Sequence, residues 1–260
     1  MLEFAFMQKA FIVGMLLAVI MPCIGVIIVL KRLSMVGDAL SHTSLAGVAG
    51  GLMIGINPIV GAIIATVLAG FGIEFIRKKI PKYSEISIAI TMSAGVGLAG
   101  VLSSFADSSM GFGSFLFGSI VAITDFEMYL VIGLSVLVLC AFILLYKELM
   151  HVSFDEQGAW LAGVPVKSVN FIFTILTALT VSIASRAVGI LIISSMMVIP
   201  VACAMRFSSS YKQTIILAIL FALFFVLVGL SASFYLGLKP GGAIVLTGVI
   251  VLSLLLVFKK

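Results

Sequence analysis

Long apolar runs separated by short polar joints recur from one end of the chain to the other, and most have the roughly 20 residues that an α-helix needs to cross a hydrocarbon core. Read run by run, the pattern predicts helices over Phe6–Leu30, Gly37–Gly55, Pro58–Arg77, Glu85–Phe105, Phe126–Tyr146, Val169–Ala184, Ala187–Met205, Tyr211–Tyr235 and Gly242–Phe258. Proline at position 58 suits a first helical turn, where its missing N–H is one that would have no partner anyway. The glycine-rich stretch Ser108–Thr124 is apolar but short, and reads as a re-entrant or interfacial piece. Met1–Lys9 has no basic segment ahead of the apolar run and no A-x-A-like site after it, so the first run is expected to stay in place as a helix. The expectation is an all-α integral membrane bundle of about nine spans, forming a single domain over residues 1–260.

Composition agrees. Of 260 residues, 63% are hydrophobic and only 10% are charged, and the mean hydropathy is +1.37. A soluble domain carries about 25% charged residues, so most side chains here must meet lipid or other helices. Little chain remains for a soluble domain, and soluble chemistry is therefore expected from partner chains. Cys23, Cys140 and Cys203 stand alone inside apolar runs, with no CxxC pair, and read as packing residues rather than a disulfide or zinc framework.

The net charge of +5 does not indicate nucleic-acid binding, because the basic residues sit in small groups between apolar runs. Alternate joints hold Lys31 and Arg32; Arg77, Lys78, Lys79 and Lys82; Lys147 and Lys167; Arg206 and Lys212; and Lys259 and Lys260. By the positive-inside rule these twelve of fifteen basic residues mark the cytoplasmic side, leaving Lys9, Arg186 and Lys239 outside. The amino terminus is then outside, the carboxyl terminus cytoplasmic, and the number of spans odd. Small residues recur every fourth position in the second run (Ala39, Thr43, Gly47, Gly51, Gly55) and again at Gly95, Ala99 and Ser103, strips along which another helix can approach closely.

An ionisable group inside a membrane helix costs a few kcal/mol and asks for a reason. Asp38 and His42 lie four residues apart on one helix face, so a carboxylate oxygen and an imidazole nitrogen can both reach one divalent cation. That donor pair suits zinc, manganese or ferrous iron better than copper(I). Equally, the two side chains can bond each other and only fix the helix, and two ligands do not complete a zinc site. Further ligands would come from water, another helix or a second copy of the chain. Ser194, Ser195 and Pro200 can mark a helix break lining a pathway or gate, or a proline kink that shapes packing. Glu74 beside Arg77 and Lys78 reads as an interfacial ion pair, and Asp107, Asp125 and Glu127 as solvated acids of outer loops. HExxH and GxSxG are absent, as is the Gly-Lys dipeptide of a Walker A loop, so no ATP site of that type is encoded.

The longest inner joint, about residues 152–166, offers a short helix with an apolar side from Phe154, Trp160 and Leu161. Asp155 and Glu156 favour its amino end, and Gly163 and Pro165 its stop. It can lie on the membrane surface or dock into a cytoplasmic partner.

The run Lys31-Arg32-Leu33-Ser34-Met35-Val36-Gly37-Asp38-Ala39-Leu40-Ser41-His42, followed by Gly47, resembles the signature of permease subunits of ABC importers for zinc, manganese or iron. Arg186 to Leu191 with Ile199 to Ala204, and Ser233 to Leu236 with Pro240 to Leu246, are similar to that family's later patterns. The resemblance implies a permease fold like that of the vitamin B12 importer, in the bacterial inner (plasma) membrane. It also implies a homodimer of permeases, cytoplasmic ATP-binding subunits and an extracellular or periplasmic metal-binding protein. No permanently bound cofactor is implied, the metal being cargo and ATP being held by the partner subunit. Asp38 and His42 match the motif positions that contact metal. Residues 154–163 correspond to the coupling helix, with Phe154, Asp155, Glu156, Ala159, Trp160 and Gly163 as the ATPase-coupling residues. Many members carry an acid where this chain has Gly237, with Lys239 close by. The lean donor set, one nitrogen and no extra acid, favours zinc narrowly over manganese. A secondary metal transporter, an intramembrane enzyme and a membrane scaffold are the competing readings. The first would need buried acids on several helices, the second paired catalytic groups, and the third no buried Asp/His pair.

Overall fold

The structure, a computed structural model, describes residues 3–80, 83–105, 118 and 124–258. These residues form helices α1 (Ala5–Leu30), α2 (Val36–Met53), α3 (Pro58–Lys79), α4 (Ser84–Ser103), α5 (Asp125–Leu144), α6 (Tyr146–Phe154), α7 (Glu156–Leu161) and α8 (Val166–Ala187). A single 3-10 turn at Ile190–Ile192 follows, then α9 (Ile193–Met205), α10 (Tyr211–Leu236) and α11 (Pro240–Phe258). The predicted segment Ser108–Thr124 lies outside the described residues apart from positions 118 and 124, as do Asp107, Lys82, Lys259, Lys260 and the side chain of Arg186.

Local chemistry sets several helix ends. Asn57 accepts a hydrogen bond from the Ile59 N–H at 2.9 Å ahead of Pro58, and α3 closes on Arg77, Lys78 and Lys79, where cations oppose the negative end of the helix dipole. Thr124 and Glu127 form a reciprocal capping box at α5, with N–H donors bound at 3.2 and 2.9 Å. The last turn of α10 stops at Gly237, whose φ of +66° falls in the left-handed region that glycine adopts without penalty.

Seven helices, α1, α3, α4, α5, α8, α10 and α11, are long and apolar enough to cross a membrane by length and composition. Two predicted runs do not meet that measure. α2 has 18 residues but carries Asp38, Ser41, His42, Thr43 and Ser44 in its first half, and α9 has 13. The predicted Ala187 start of the seventh run is corrected to Ile193: Gly189, at φ +99°, and the 3-10 turn interrupt the chain ahead of α9. The break expected around Ser194, Ser195 and Pro200 therefore lies at Gly189–Ile192, and α9 runs through Pro200 as continuous helix. The short helix expected in the inner joint is α7, capped by Asp155 and followed by Gly163, and a further helix, α6, precedes it; the two meet at Asp155, whose extended backbone (φ −151°, ψ 102°) turns one against the other.

α1 occupies the centre, packed against α5, α8, α9 and α10, and buries Leu17, Met21, Ile24, Ile27 and Ile28. α2, α3 and α4 make a second group, joined to the first largely through α8. The joints between helices use missing side chains. A Cβ on Gly47 would collide with the Gly61 carbonyl, one on Gly95 would lie 2.6 Å from a Thr43 methyl, and one on Gly25 would collide with the Met197 carbonyl. These are backbone-to-backbone approaches of the small-residue type. Buried hydroxyls of Thr66 and Ser182 add a hydrogen bond between α3 and α8.

Candidate functional site

The polar half of α2 separates into residues bonded to their own helix and residues that are not. Ser41 Oγ donates to the Gly37 carbonyl at 2.7 Å, and Thr43 Oγ1 to the Leu40 carbonyl at 2.9 Å. Such local back-bonding satisfies a hydroxyl without any partner helix. Asp38 and His42, both half-buried, make no hydrogen bond or ion pair among the described residues. They do not bond each other, so the reading in which the pair only braces its own helix has no contact behind it. One turn apart on α2, they present a carboxylate and an imidazole along one line of the helix.

Three close contacts hold this helix. Gly95 on α4 faces the His42–Thr43 peptide. Gly47 meets Gly61 on α3, one turn beyond His42. At the amino end, a Cβ on Gly37 would lie 2.8 Å from Ser194 Oγ and 3.6 Å from Met197 Sδ, so the first turn of α2 sits against the first turn of α9. Ser194 Oγ and, on α2 itself, Ser44 Oγ are buried with no hydrogen-bond partner among the described residues. The three predicted gate residues are not brought together: Ser194 faces α2, while Ser195 and Pro200 line a crevice with Ile199, Phe225 and Ile244 between α9, α10 and α11. Among the described residues, no group of three or more His, Cys, Asp or Glu side chains is assembled.

The six expected coupling residues fall at and around α7. Asp155 caps the helix, its carboxylate accepting from the Gln157 N–H at 3.0 Å, and Gly163, at φ +83°, ends the segment. Ala159 is buried, whereas Phe154, Trp160 and Leu161 are 65%, 69% and 79% exposed. Their apolar surface is presented outward rather than packed on the bundle, although the Phe154 ring still touches Tyr211 at the start of α10 (6.1 Å between centroids).

Behind α7 lies a cavity of about 610 Å³ lined by Lys31, Arg32, Arg77, Lys78 and Lys167, with Glu74 and Glu156 as its acids. Glu74 is 3.2 Å from the Arg77 guanidinium, the ion pair expected from the sequence, and is buried. Basic residues from three separate places, the α1–α2 joint, the end of α3 and the start of α8, thus share one face, while Lys9, at the other end of α1, pairs with Asp125 at 2.7 Å.

Two residues at this cavity escaped the sequence reading. Lys31 counted there only as a loop cation, and Asn170 not at all. Lys31 Nζ donates to Glu156 Oε1 at 2.8 Å and to Asn170 Oδ1 at 2.5 Å, and Asn170 Nδ2 donates to Glu156 Oε1 at 2.9 Å. Burial lowers the Lys31 ammonium below its ordinary pKa despite the opposing pull of Glu156. For Glu156, desolvation works upward but is outweighed by the hydrogen bond and charge of Lys31 and the bond from Asn170, which leave its carboxyl below the usual range. The available signal was an amide near the start of an apolar helix, a position where a polar group needs a partner.

The sequence of the ABC 3 transport family matches residues 3–259. The "Probable metal transport system membrane protein" of Treponema pallidum is 35% identical over 98% of this chain and 96% of its own length. The manganese transport system membrane protein MntC of Listeria monocytogenes is 33% identical over 99% and 92%. Among solved structures, PsaBC from Streptococcus pneumoniae in complex with Fab superposes with a TM-score of 0.87 at 30% identity, over 97% of this chain and 91% of that one. The chain belongs to the ABC 3 transport family, and with its apolar helices is a multi-pass protein of the bacterial plasma membrane.

Proposed function

We propose that this chain is the membrane-spanning permease subunit of an ABC importer for a divalent metal ion, with manganese as the cargo and zinc as the alternative. The observation that carries the reading is the Asp38–His42 pair: two metal-competent side chains, half-buried and unpartnered within the described residues, on the least apolar of the long helices. The sequence narrowly favours zinc, but manganese is what the names of several relatives specify. With only two donors per chain, the ion keeps part of its hydration or gains donors from a second protomer, and either leaves it held loosely enough for release.

In this reading α2 and α9 complete a set of nine spans, with the amino terminus outside and the basic cavity and α7 facing the cytoplasm. The permease forms a homodimer, ATP-binding subunits dock on the exposed Phe154, Trp160 and Leu161, and a binding protein delivers the metal from outside. ATP is hydrolysed by the partner subunits, not by this chain.

The test is reconstitution in vesicles with the ATPase subunits and, separately, without them. Uptake of manganese(II) is expected only with both ATPase subunits and ATP present, and zinc(II) in the same assay ranks the two ions. Equal uptake by the chain alone would make it a secondary transporter and reject the proposal.

A further inference from the structure

Lys31 is the last residue before the α1–α2 turn, and its side chain is only 8% exposed. Everything that balances its charge comes from elsewhere in the chain: Glu156 is the first residue of α7, and Asn170 lies in the first turns of α8. Arg77 and Glu74, on the last turns of α3, face the same cavity. The three-way contact of Lys31, Glu156 and Asn170 therefore ties the exposed α7 to the peptide that leads into α2.

That peptide is not a passive joint. Arg32, the next residue, has φ +57°, and is the only non-glycine residue with positive φ among those described. An L side chain holds this conformation only where its surroundings fix it. Four residues later α2 begins, with Asp38 in its first turn. The second tie from this region, Phe154 to Tyr211, leads to α10 and not to α2. Glu156 is half-exposed and can be solvated if α7 shifts, whereas Lys31 cannot follow it without dragging the turn or leaving its charge buried beside Arg77. A buried charge that loses its partner is strongly disfavoured. Parting the contact would leave its two ends unequally placed, Glu156 in water and Lys31 still buried with only Asn170 and Glu74 near it, so a movement of α7 is felt at the turn.

We propose that Lys31, Glu156 and Asn170 are positioning residues that convert movement of α7 into movement of the α1–α2 turn, and so set access of the cation to Asp38 and His42. The proposal rests on the permease reading above.

The experiment measures manganese(II) uptake and ATP hydrolysis together, in vesicles containing the complete transporter. Lys31→Met and Glu156→Gln are expected to keep ATP hydrolysis while uptake per ATP falls about tenfold, within the range typical of coupling between sites. The exchange Lys31→Glu with Glu156→Lys restores the ratio to within about twofold, because Asn170 can turn its amide to serve either charge. A ratio unchanged in the single variants, or no better in the exchange than in either single, overturns the link. Should the charge variants fail to assemble, Asn170→Leu, which keeps the ion pair and removes only its neutral bridge, decides by the same ratio: a fall supports the link and a wild-type value rejects it. Wild-type vesicles that hydrolyse ATP yet take up no metal would reject the permease reading itself, an outcome distinct from a wild-type transporter whose variants remain fully coupled.

Discussion

Asp38 and His42 share α2 with three hydroxyl residues, and the contrast between them defines their chemistry. Ser41 and Thr43 bond to carbonyls of their own helix, and replacing them with alanine removes nothing that a ligand needs. Asp38 and His42 have no internal partner among the described residues, so alanine there leaves the fold intact and takes donors from the cation. Uptake of manganese(II) by the reconstituted transporter is expected to fall at least about tenfold for Asp38→Ala and for His42→Ala, since even indirect losses at metal sites reach that size. Ser41→Ala is expected to transport normally. If both donor variants transported like the wild type while the complex stayed folded, the ligand assignment would be wrong.

At the scale of helices, glycine positions divide into those that touch another backbone and those that face open space. Gly25→Val puts a side chain into the Met197 carbonyl and is expected to destabilise the protein by about 3 kcal/mol, the size of a core overpacking error. Gly133→Ala, where nothing lies within 4 Å, gains helix propensity of about 1 kcal/mol or less. Thermal unfolding in detergent separates the two, and equal melting points would remove the close-packing argument. Much of this level was legible in the sequence. Each apolar run contains a helix, seven of them long and apolar enough to span a membrane, because run length and capping residues such as Asn57 and Ser210 act locally. The failures were non-local or conformational: Gly189 breaks the chain where the apolar pattern continues, and the turn at Asp155 sets off Tyr146–Phe154 as a helix of its own ahead of the expected one. In the same way, the Asp38/His42 spacing could be read directly, but the partners of Lys31 come from positions 125 and 139 residues away.

For the whole molecule the expectation that remains to be measured is sidedness. In a chain whose three cysteines are replaced, Ile54→Cys and Leu161→Cys place reactive thiols at two exposed positions. A membrane-impermeant maleimide added to intact cells is expected to label the first, and to label the second only after permeabilisation; the reverse pattern would invert the topology. The glycine contacts bear on how such a molecule can move. Where Gly47 meets Gly61 and Gly95 meets the His42–Thr43 peptide, the only side-chain atoms at hand are the Ala65 methyl and the Thr43 methyl, so slippage of α2 along α3 or α4 soon drives backbone into backbone. α2, α3 and α4 must therefore travel as one plate. The seam that can open is the other edge of α2, against α9, where Gly37 meets a serine hydroxyl with no bonding partner among the described residues and a flexible thioether. A plate that is stiff within and loosely fastened along one edge turns like a door on its hinge, and here the Asp38 turn sits on the free edge.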